Sequence, residues 1–282
     1  MKSSETPSAS GLKYLNPLVT WKSLWNYRDL LWLLTQRNIM LRYKGTLLGL
    51  FWMAATPLLS LFIYTFVFGV IFKPQIASGM GDSKIALRLV MFCGIILFNM
   101  FSETVTNSVT SISGNRGYVK KAVFPLEMLP LAAVMSAVFI GLVWTGILWI
   151  AVGILMHKVF WTALCLPFIL VPMTLLYCGI AWIIASIGTY VRDIIYVTGV
   201  LLQLLFFATP ICYSLSMVPG HARTVMLLNP LTHIIHSMQN IMIYGRWPDW
   251  GLLAVLTLVS FGLFQLGYFY FMKTRRWFAD VL

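Results

Sequence analysis

Charged residues are scarce in this sequence, and acidic residues are the scarcest. Only 10% of the 282 residues are Asp, Glu, Lys or Arg, and eight of these are acidic, whereas a soluble domain carries about a quarter charged residues. The charges fall into short clusters separated by long apolar stretches, in a chain that is 60% hydrophobic and 15% aromatic. This composition excludes an ordinary soluble domain and indicates a protein built into a membrane.

Sequence motifs for catalysis are also missing. The sequence contains no G-x-x-x-x-G-K-[ST], G-x-S-x-G or H-E-x-x-H segment, so we expect no nucleotide-binding loop and no hydrolase or metalloprotease centre. The acidic residues form no paired carboxylates, and His233 and His236 have no cysteine or carboxylate partners nearby in the sequence. The four cysteines lie in predicted spans without metal or redox spacing. We therefore expect neither an enzyme nor a metal site, and the polar first ten residues predict no cleavable signal peptide.

The stretches between charge clusters are long enough to cross a bilayer, which takes roughly 20 apolar residues. They predict an all-α membrane protein with six transmembrane helices, at about 45–72, 89–113, 128–156, 160–189, 194–216 and 250–272. With both termini in the cytoplasm, 14 Lys and Arg residues lie inside and six outside. This positive-inside bias explains the basic pI of about 9.7 without nucleic acid.

The segments outside the spans have their own patterns. Residues 1–20 read as a flexible cytoplasmic tail, and 273–282 as a second one. Residues 21–44 mix apolar and basic residues and predict an amphipathic interface helix, with Leu30, Leu34 and Leu41 on one side. Arg28, Thr35 and Arg42 repeat at heptad spacing on another side. A plain juxtamembrane linker is the alternative for this segment.

The stretch before the last span is apolar in its middle but too short to cross twice. Its break at Asn229-Pro230 predicts two short re-entrant or interfacial helices at the outer face.

Two groups of residues are candidates for the lining of a transport path. The second span carries a polar stripe of Asn99, Glu103, Thr106, Thr110 and Ser113 within roughly 80° of one another. Such a stripe faces either other helices or a water-filled path. Aromatic side chains, past which long sugars slide, are the second group: Phe51, Trp52, Phe62 and Tyr64 in the first span, and Phe206, Phe207 and Tyr213 in the fifth. Lipid-facing and core positions are the alternative for each of them.

Five segments stand out in order along the chain: RNIMLRYKGTLLGLFW (37–52), GYVKKAVFPLEMLPL (117–131), TYVRDI (189–194), FFATPICY (206–213) and LNPLT (228–232). Together they resemble a known family, the ABC-2-type permeases that export lipid-linked polysaccharides such as O-antigen and teichoic acid. The resemblance covers nearly the whole chain after the first 20 residues.

The resemblance implies a six-span homodimer that binds two separate ATP-binding subunits. ATP and Mg would belong to that partner, and this chain would hold no cofactor. The implied ATPase-coupling residues are Arg116, Tyr118, Lys120, Lys121, Arg192 and Asp193. The implied outer gate comprises Asn229, Pro230, His233 and His236.

Basic residues near the cytoplasmic surface are candidates for contact with the lipid pyrophosphate: Arg28, Arg37, Arg42 and Lys44. Phospholipid headgroups are their alternative partners. The expected function is export of a polyprenyl-pyrophosphate-linked polysaccharide across the bacterial inner membrane. An ABC-2 permease for a small hydrophobic drug or lipid is the alternative, and an ion-coupled carrier working alone is a third class.

Overall fold

The computed structural model describes residues 16–67, 84–119, 124–213 and 218–281. Within these ranges the chain is helical and has no strand, which confirms the all-helical prediction for the described residues. The first helices are α1 (Pro17–Asn26), α2 (Arg28–Tyr43), α3 (Trp52–Phe66), α4 (Lys84–Val109), α5 (Arg116–Val119) and α6 (Met128–Met156). The others are α7 (Leu166–Tyr190), α8 (Ile194–Ala208), α9 (Gly220–Leu228), α10 (Pro230–Gln239), α11 (Trp250–Thr274) and α12 (Phe278–Val281).

Four helical stretches of the described chain are long and apolar enough to cross a membrane. They are Ile85–Val109, Met128–Met156, Trp161–Tyr190 and Trp250–Val281. Two further apolar helices, Gly49–Ile63 and Ile194–Ala208, are shorter and cover only part of the first and fifth predicted spans, the fifth of which was predicted to continue to residue 216. The end of the first predicted span, at residue 72, lies outside the described residues. A membrane protein with four such helices is therefore established by length and composition.

The core is built where α7 packs along α11 at very short range. A Cβ atom on Gly267 would lie 2.3 Å from the Gly179 carbonyl oxygen, and one on Gly179 would lie 2.5 Å from that of Leu263. Small residues allow this approach, which van der Waals packing stabilises in membranes. Trp182 is fully buried beside this crossing and donates from Nε1 to the Glu127 carbonyl oxygen at 3.1 Å.

The N-terminal segment forms two helices where the sequence predicted one. α1 starts at the Asn16 cap, whose side chain accepts from the Leu18 backbone N–H at 3.0 Å, and α2 follows after Tyr27. α2 packs against α6, and its buried face includes Thr35, which the sequence placed on the polar side. The Thr35 hydroxyl donates to the Leu31 carbonyl oxygen at 2.8 Å, which lowers the cost of its burial. Leu41, predicted on the apolar side, is exposed.

The segment before α11 folds as two short helices separated at Asn229. The Asn229 side chain caps α10 by accepting from the Leu231 backbone N–H at 3.0 Å, and its Nδ2 donates to the Thr209 hydroxyl oxygen at 2.9 Å. α10 packs against α4 and α7 and continues into a π-helical turn, Asn240–Tyr244. Gly245 ends this turn with a φ of 63°, a conformation that favours glycine.

Candidate functional site

A cleft of about 740 Å³ lies between α2, α4 and α6. Four of the five residues of the predicted polar stripe border it: Asn99, Glu103, Thr106 and Thr110. The fifth, Ser113, lies in the 3-10 turn Ser113–Asn115 beyond the end of α4 and is not among the lining residues. The stripe therefore faces a cleft within one chain and lines it together with two other helices. α4 ends at Val109 rather than at the predicted residue 113. The Ser111 hydroxyl donates to the Ser108 carbonyl oxygen and the Asn115 amide to that of Ser111. These side chains compete with backbone N–H groups for the acceptors that a longer helix would use.

The wall opposite the polar stripe is made by small residues of α6. They are Ala132, Ala133, Ser136, Ala137 and Gly141. A Cβ atom on Gly141 would lie 2.3 Å from the Met100 sulfur, so glycine brings α4 and α6 close at this point. Trp144 closes the far end of the cleft, and its Nε1 is buried with no hydrogen-bond partner among the described residues.

One ion pair crosses the cleft from α2 to α4. Arg42 Nη1 donates to Glu103 Oε1, with 42% of the arginine side chain and 20% of the glutamate side chain exposed. The two charges neutralise each other where they meet, so this part of the cleft has a dipole rather than a net charge. Arg42, predicted to contact a lipid pyrophosphate, therefore has a partner within the chain.

A second arginine of α2 holds the segment that follows α4. Arg37 donates from Nη1 to the Tyr118 hydroxyl oxygen at 2.9 Å and from Nη2 to Asn115 Oδ1 at 2.8 Å. The Tyr118 ring stacks on Phe124, with ring centroids 4.4 Å apart. Arg37 thus links α2 to the predicted ATPase-coupling segment. Like Arg42, it had been predicted to contact the lipid pyrophosphate, and like Arg42 it has partners within the chain.

The same segment is tied to the end of α11 by a buried ion pair that sequence reasoning missed. Arg275 donates from Nη1 to Glu127 Oε2 at 2.7 Å and from Nη2 to the Phe124 carbonyl oxygen at 3.1 Å. The Glu127 side chain is only 4% exposed. Burial raises the pKa of Glu127, and the charge of Arg275 opposes that rise. The signal in the sequence was Glu127 itself, an acidic residue directly before a predicted span in a chain with only eight acidic residues.

The other predicted basic and coupling residues lie on exposed surfaces. Arg28 packs over the Trp25 ring at 5.0 Å and bonds its carbonyl oxygen at 3.2 Å, and Lys44 is exposed at the end of α2. Exposed positions are also held by Arg116, in α5, and by Arg192 and Asp193, in the turn between α7 and α8. Lys120 and Lys121 lie outside the described residues.

The predicted aromatic lining lies apart from the polar stripe. Phe51, Phe62 and Phe207 are exposed, Trp52 and Tyr213 are half-buried, and Phe206 packs edge-on against Phe98 at 5.1 Å. Tyr213 donates from its hydroxyl to the Phe207 carbonyl oxygen. The Tyr64 side chain is outside the described atoms. Of the described aromatic residues in this set, none borders the cleft, so the two candidate linings belong to different surfaces.

The predicted outer gate residues lie around the start of α10. Pro230 is its first residue after the Asn229 cap. His233 Nε2 lies 2.7 Å from the Leu227 carbonyl oxygen, and His236 Nδ1 lies 3.3 Å from the Asn240 side-chain amide. Partial burial lowers the pKa of His236, helped by the nearby His233 and Arg246. Among the described residues, no three His, Cys, Asp or Glu side chains form a metal-binding group.

Comparison with known proteins assigns the family. The model of the ABC-2 type transporter family matches residues 29–243, so the chain belongs to this family and is a membrane transport subunit. The matched range contains the cleft, the Arg37 contacts and both short helices before α11. This confirms the resemblance seen in the sequence segments.

Curated relatives match along almost their full length. The chain is 30% identical over 262 residues to the O-antigen export system permease protein RfbA of Myxococcus xanthus, covering 92% of this chain and 97% of the relative. It is 27% identical to the protein of the same name from Klebsiella pneumoniae, covering 90% and 95%. The polysialic acid transport protein KpsM of Escherichia coli is 25% identical, covering 79% and 86%.

Proposed function

We propose that this chain is the permease subunit of an ABC exporter that moves a polyprenyl-pyrophosphate-linked, O-antigen-like polysaccharide out of the cytoplasm. The observation that carries the proposal is the 30% identity to an O-antigen export permease across 92% of the chain. Similarity that runs from end to end includes the coupling segment, the cleft and the short helices, so it supports a shared mechanism rather than a shared fold alone.

The proposed topology has six spans, with α3 and α8 as the cores of the first and fifth. The residues before α1 form a cytoplasmic tail, α1 and α2 an interface region, 45–272 the transmembrane domain and 273–282 a cytoplasmic end in which α12 packs against α7. Both termini lie in the cytoplasm, at the inner membrane of a bacterium, in line with the excess of Lys and Arg on that side. α9 and α10 act as the outer gate.

The proposed assembly is a homodimer of this chain with two ATP-binding subunits. The apolar faces of α3 and α8 support it, because Phe62, Leu204 and Phe207 are each more than 60% exposed and need lipid or a second copy to cover them. ATP and Mg bind to the partner subunits. Contact with those subunits falls to Arg116, Tyr118, Lys120, Lys121, Arg192 and Asp193.

The lipid pyrophosphate has fewer arginines available to it than the sequence suggested. Arg37 and Arg42 donate to residues beyond their own helix, whereas Arg28 donates to Trp25 and pairs with Asp29 on the surface of its own segment, and Lys44 is exposed. We propose Arg28 and Lys44 as the first contacts of the anionic headgroup. A polar cleft also supports a glycan over a small hydrophobic drug as the transported molecule.

The test is a deletion strain of the host complemented with this chain. With the wild-type chain, surface polysaccharide is restored; without it, completed lipid-linked glycan accumulates on the cytoplasmic face. Arg192→Glu is expected to lower export strongly while the protein stays in the membrane, because a reversed charge opposes docking of the ATPase. Lys158→Glu, at an exposed basic residue in the turn between α6 and α7, is the matched control. Surface polysaccharide that is unchanged by deletion would exclude the exporter assignment and favour a drug or lipid permease.

A further inference from the structure

The cleft between α2, α4 and α6 has a chemical character of its own. We propose that it binds a neutral sugar unit of the transported glycan within a single copy of the chain. This inference rests on the proposed export function and assigns a sugar site away from the aromatic surfaces of α3 and α8.

The charge of the cleft excludes an anionic ligand as its natural occupant. Among the described lining residues the only formal charges are Arg42 and Glu103, and these are paired with each other. A phosphate or pyrophosphate needs an excess of positive charge or free N–H donors at the site. Here the arginine would first have to leave its carboxylate. The pair therefore disfavours the pyrophosphate end of the substrate and leaves room for its uncharged part.

The remaining polar groups are those that bind hydroxyl groups. They are four amides and five hydroxyls, at Asn38, Asn99, Asn107, Asn115, Ser102, Thr106, Thr110, Ser111 and Ser136. Three of them, Asn115, Ser111 and Ser136, already donate to groups of the same chain. Amides and hydroxyls both donate and accept hydrogen bonds without carrying a charge. Four of the nine lie on α4 and three directly after it, and they share the cleft with the small side chains of α6. A sugar ring has a rim of hydroxyls and an apolar face, so it matches both walls at once.

Trp144 supplies an independent observation. Its side chain is 91% buried, since the relative exposure is 9%, and its Nε1 has no partner among the described residues. A buried indole N–H usually finds an acceptor, and an unsatisfied one calls for a missing partner. Trp144 borders the cleft, but its Nε1 is itself buried, so an oxygen of a bound sugar accepts from it only after the indole turns toward the cleft.

The cleft is large enough for a ligand of several sugar rings rather than for a single water molecule. A volume of about 740 Å³ is within the 300–1,000 Å³ of sites that bury drug-sized ligands, the size of two or three sugar rings. Along α6 the lining runs from Leu129 to Trp144, a rise of about 22 Å at 1.5 Å per residue. The cleft thus runs from the coupling segment to the middle of a predicted span.

Export by an isosteric variant tests the site in cells. Thr106→Val keeps the shape of the side chain and removes the hydroxyl. It is expected to lower export per membrane-inserted protein by about 3- to 10-fold, the effect of one lost hydrogen bond. Thr257→Val, on α11, whose hydroxyl bonds its own helix, is the matched control and is expected to export normally.

Protection of an introduced cysteine tests the ligand directly. In the purified protein, Thr106→Cys is labelled by a maleimide, with the wild-type chain giving the background from Cys212, because the other three cysteines are buried. The delipidated oligosaccharide of the host polysaccharide is expected to slow labelling several-fold, and inorganic pyrophosphate to leave it unchanged. Protection by pyrophosphate instead would overturn the neutral-sugar assignment.

The outcomes separate this inference from the exporter assignment. If the wild-type chain exports, but Thr106→Val matches its control and the oligosaccharide does not slow labelling of the Thr106→Cys variant, the sugar site is wrong and the exporter assignment stands. If the wild-type chain restores no polysaccharide, the exporter assignment is wrong, and the oligosaccharide is then expected to give no protection either.

Discussion

The helices of this chain differ in how they bury their apolar side chains. α7 and α11 meet backbone to backbone through Gly179 and Gly267, and α7 buries its largest aromatic side chain, Trp182, completely. α8 is also strongly apolar, yet of its residues only Thr198 and Leu202 are buried. Apolar helices of this chain therefore have different partners. The small residues at the α7–α11 crossing permit close packing of one helix on the other. α8 leaves an apolar face for lipid or for a second copy of the chain to cover.

A similar contrast separates α2 from this core. α2 packs on α6 but is also attached by two arginine side chains, Arg37 to the coupling segment and Arg42 to α4. Polar ties of this kind can exchange partners at lower cost than interlocked backbones. The comparison suggests a fixed core, α7 with α11, and an adjustable helix, α2, over the cleft.

The strongest way to break the fixed core is to separate α7 from α11. Gly267→Leu is expected to lower the free energy of unfolding by more than about 3 kcal/mol, because its Cβ atom meets backbone that cannot move aside. Thermal unfolding in detergent and yield in the membrane measure this. Gly262→Leu, on the same helix with nothing within 4 Å of a Cβ, is the control, and equal losses in both variants would contradict the close crossing.

Breaking the buried ion pair between Glu127 and Arg275 is expected to cause the next largest loss of stability. Arg275→Met leaves a carboxylate that is 4% exposed without its counter-charge, which costs about 3 kcal/mol near neutral pH. Thermal unfolding in detergent measures the loss. Lys273→Met, at an exposed position of α11, is expected to change little.

The pH dependence of this variant follows from the raised pKa of Glu127. A folded-state pKa above the unfolded value means that the folded protein binds the proton more tightly. The stability contributed by proton binding to Glu127 is present at low pH and is lost as the pH rises through the raised pKa. Arg275→Met is therefore expected to regain stability when the pH is lowered from about 8 to about 5, relative to Lys273→Met. A parallel response of the two variants would indicate that Glu127 does not titrate in this way.

Local patterns in the sequence were enough to predict an all-helical membrane protein, its four long apolar helices and most of the polar stripe of α4. Helical spacing alone brings Asn99, Glu103 and Thr106 to one side, and the structure has them bordering the cleft. Spacing could not show what faces that side. Glu103 meets Arg42 from 61 residues away, and Glu127 meets Arg275 from 148 residues away, and such pairs depend on how helices pack.

The same limit explains two differences between sequence and structure. The polar stripe and the aromatic residues looked like one lining because both suit a glycan, but composition does not say that they lie on different surfaces. In α2, the heptad pattern assumed one face against lipid. Packing against α6 selects a face that includes Leu34, Thr35 and Ile39 instead, and Thr35 tolerates burial by bonding its own helix.

The smallest expected effect tests whether α2 is held by its polar ties. In a double-mutant cycle of Arg37→Met with Tyr118→Phe, we expect a coupling of about 1 kcal/mol, since Phe removes only the hydroxyl that accepts from Arg37 at 2.9 Å. Unfolding of all four proteins in detergent gives this value. Arg28→Met with Tyr118→Phe is the control cycle and is expected to be additive, because Arg28 contacts only nearby residues of its own segment. A coupling near zero for Arg37 would mean that packing on α6 alone holds α2, and the contrast between a fixed core and an adjustable helix would then have no physical basis.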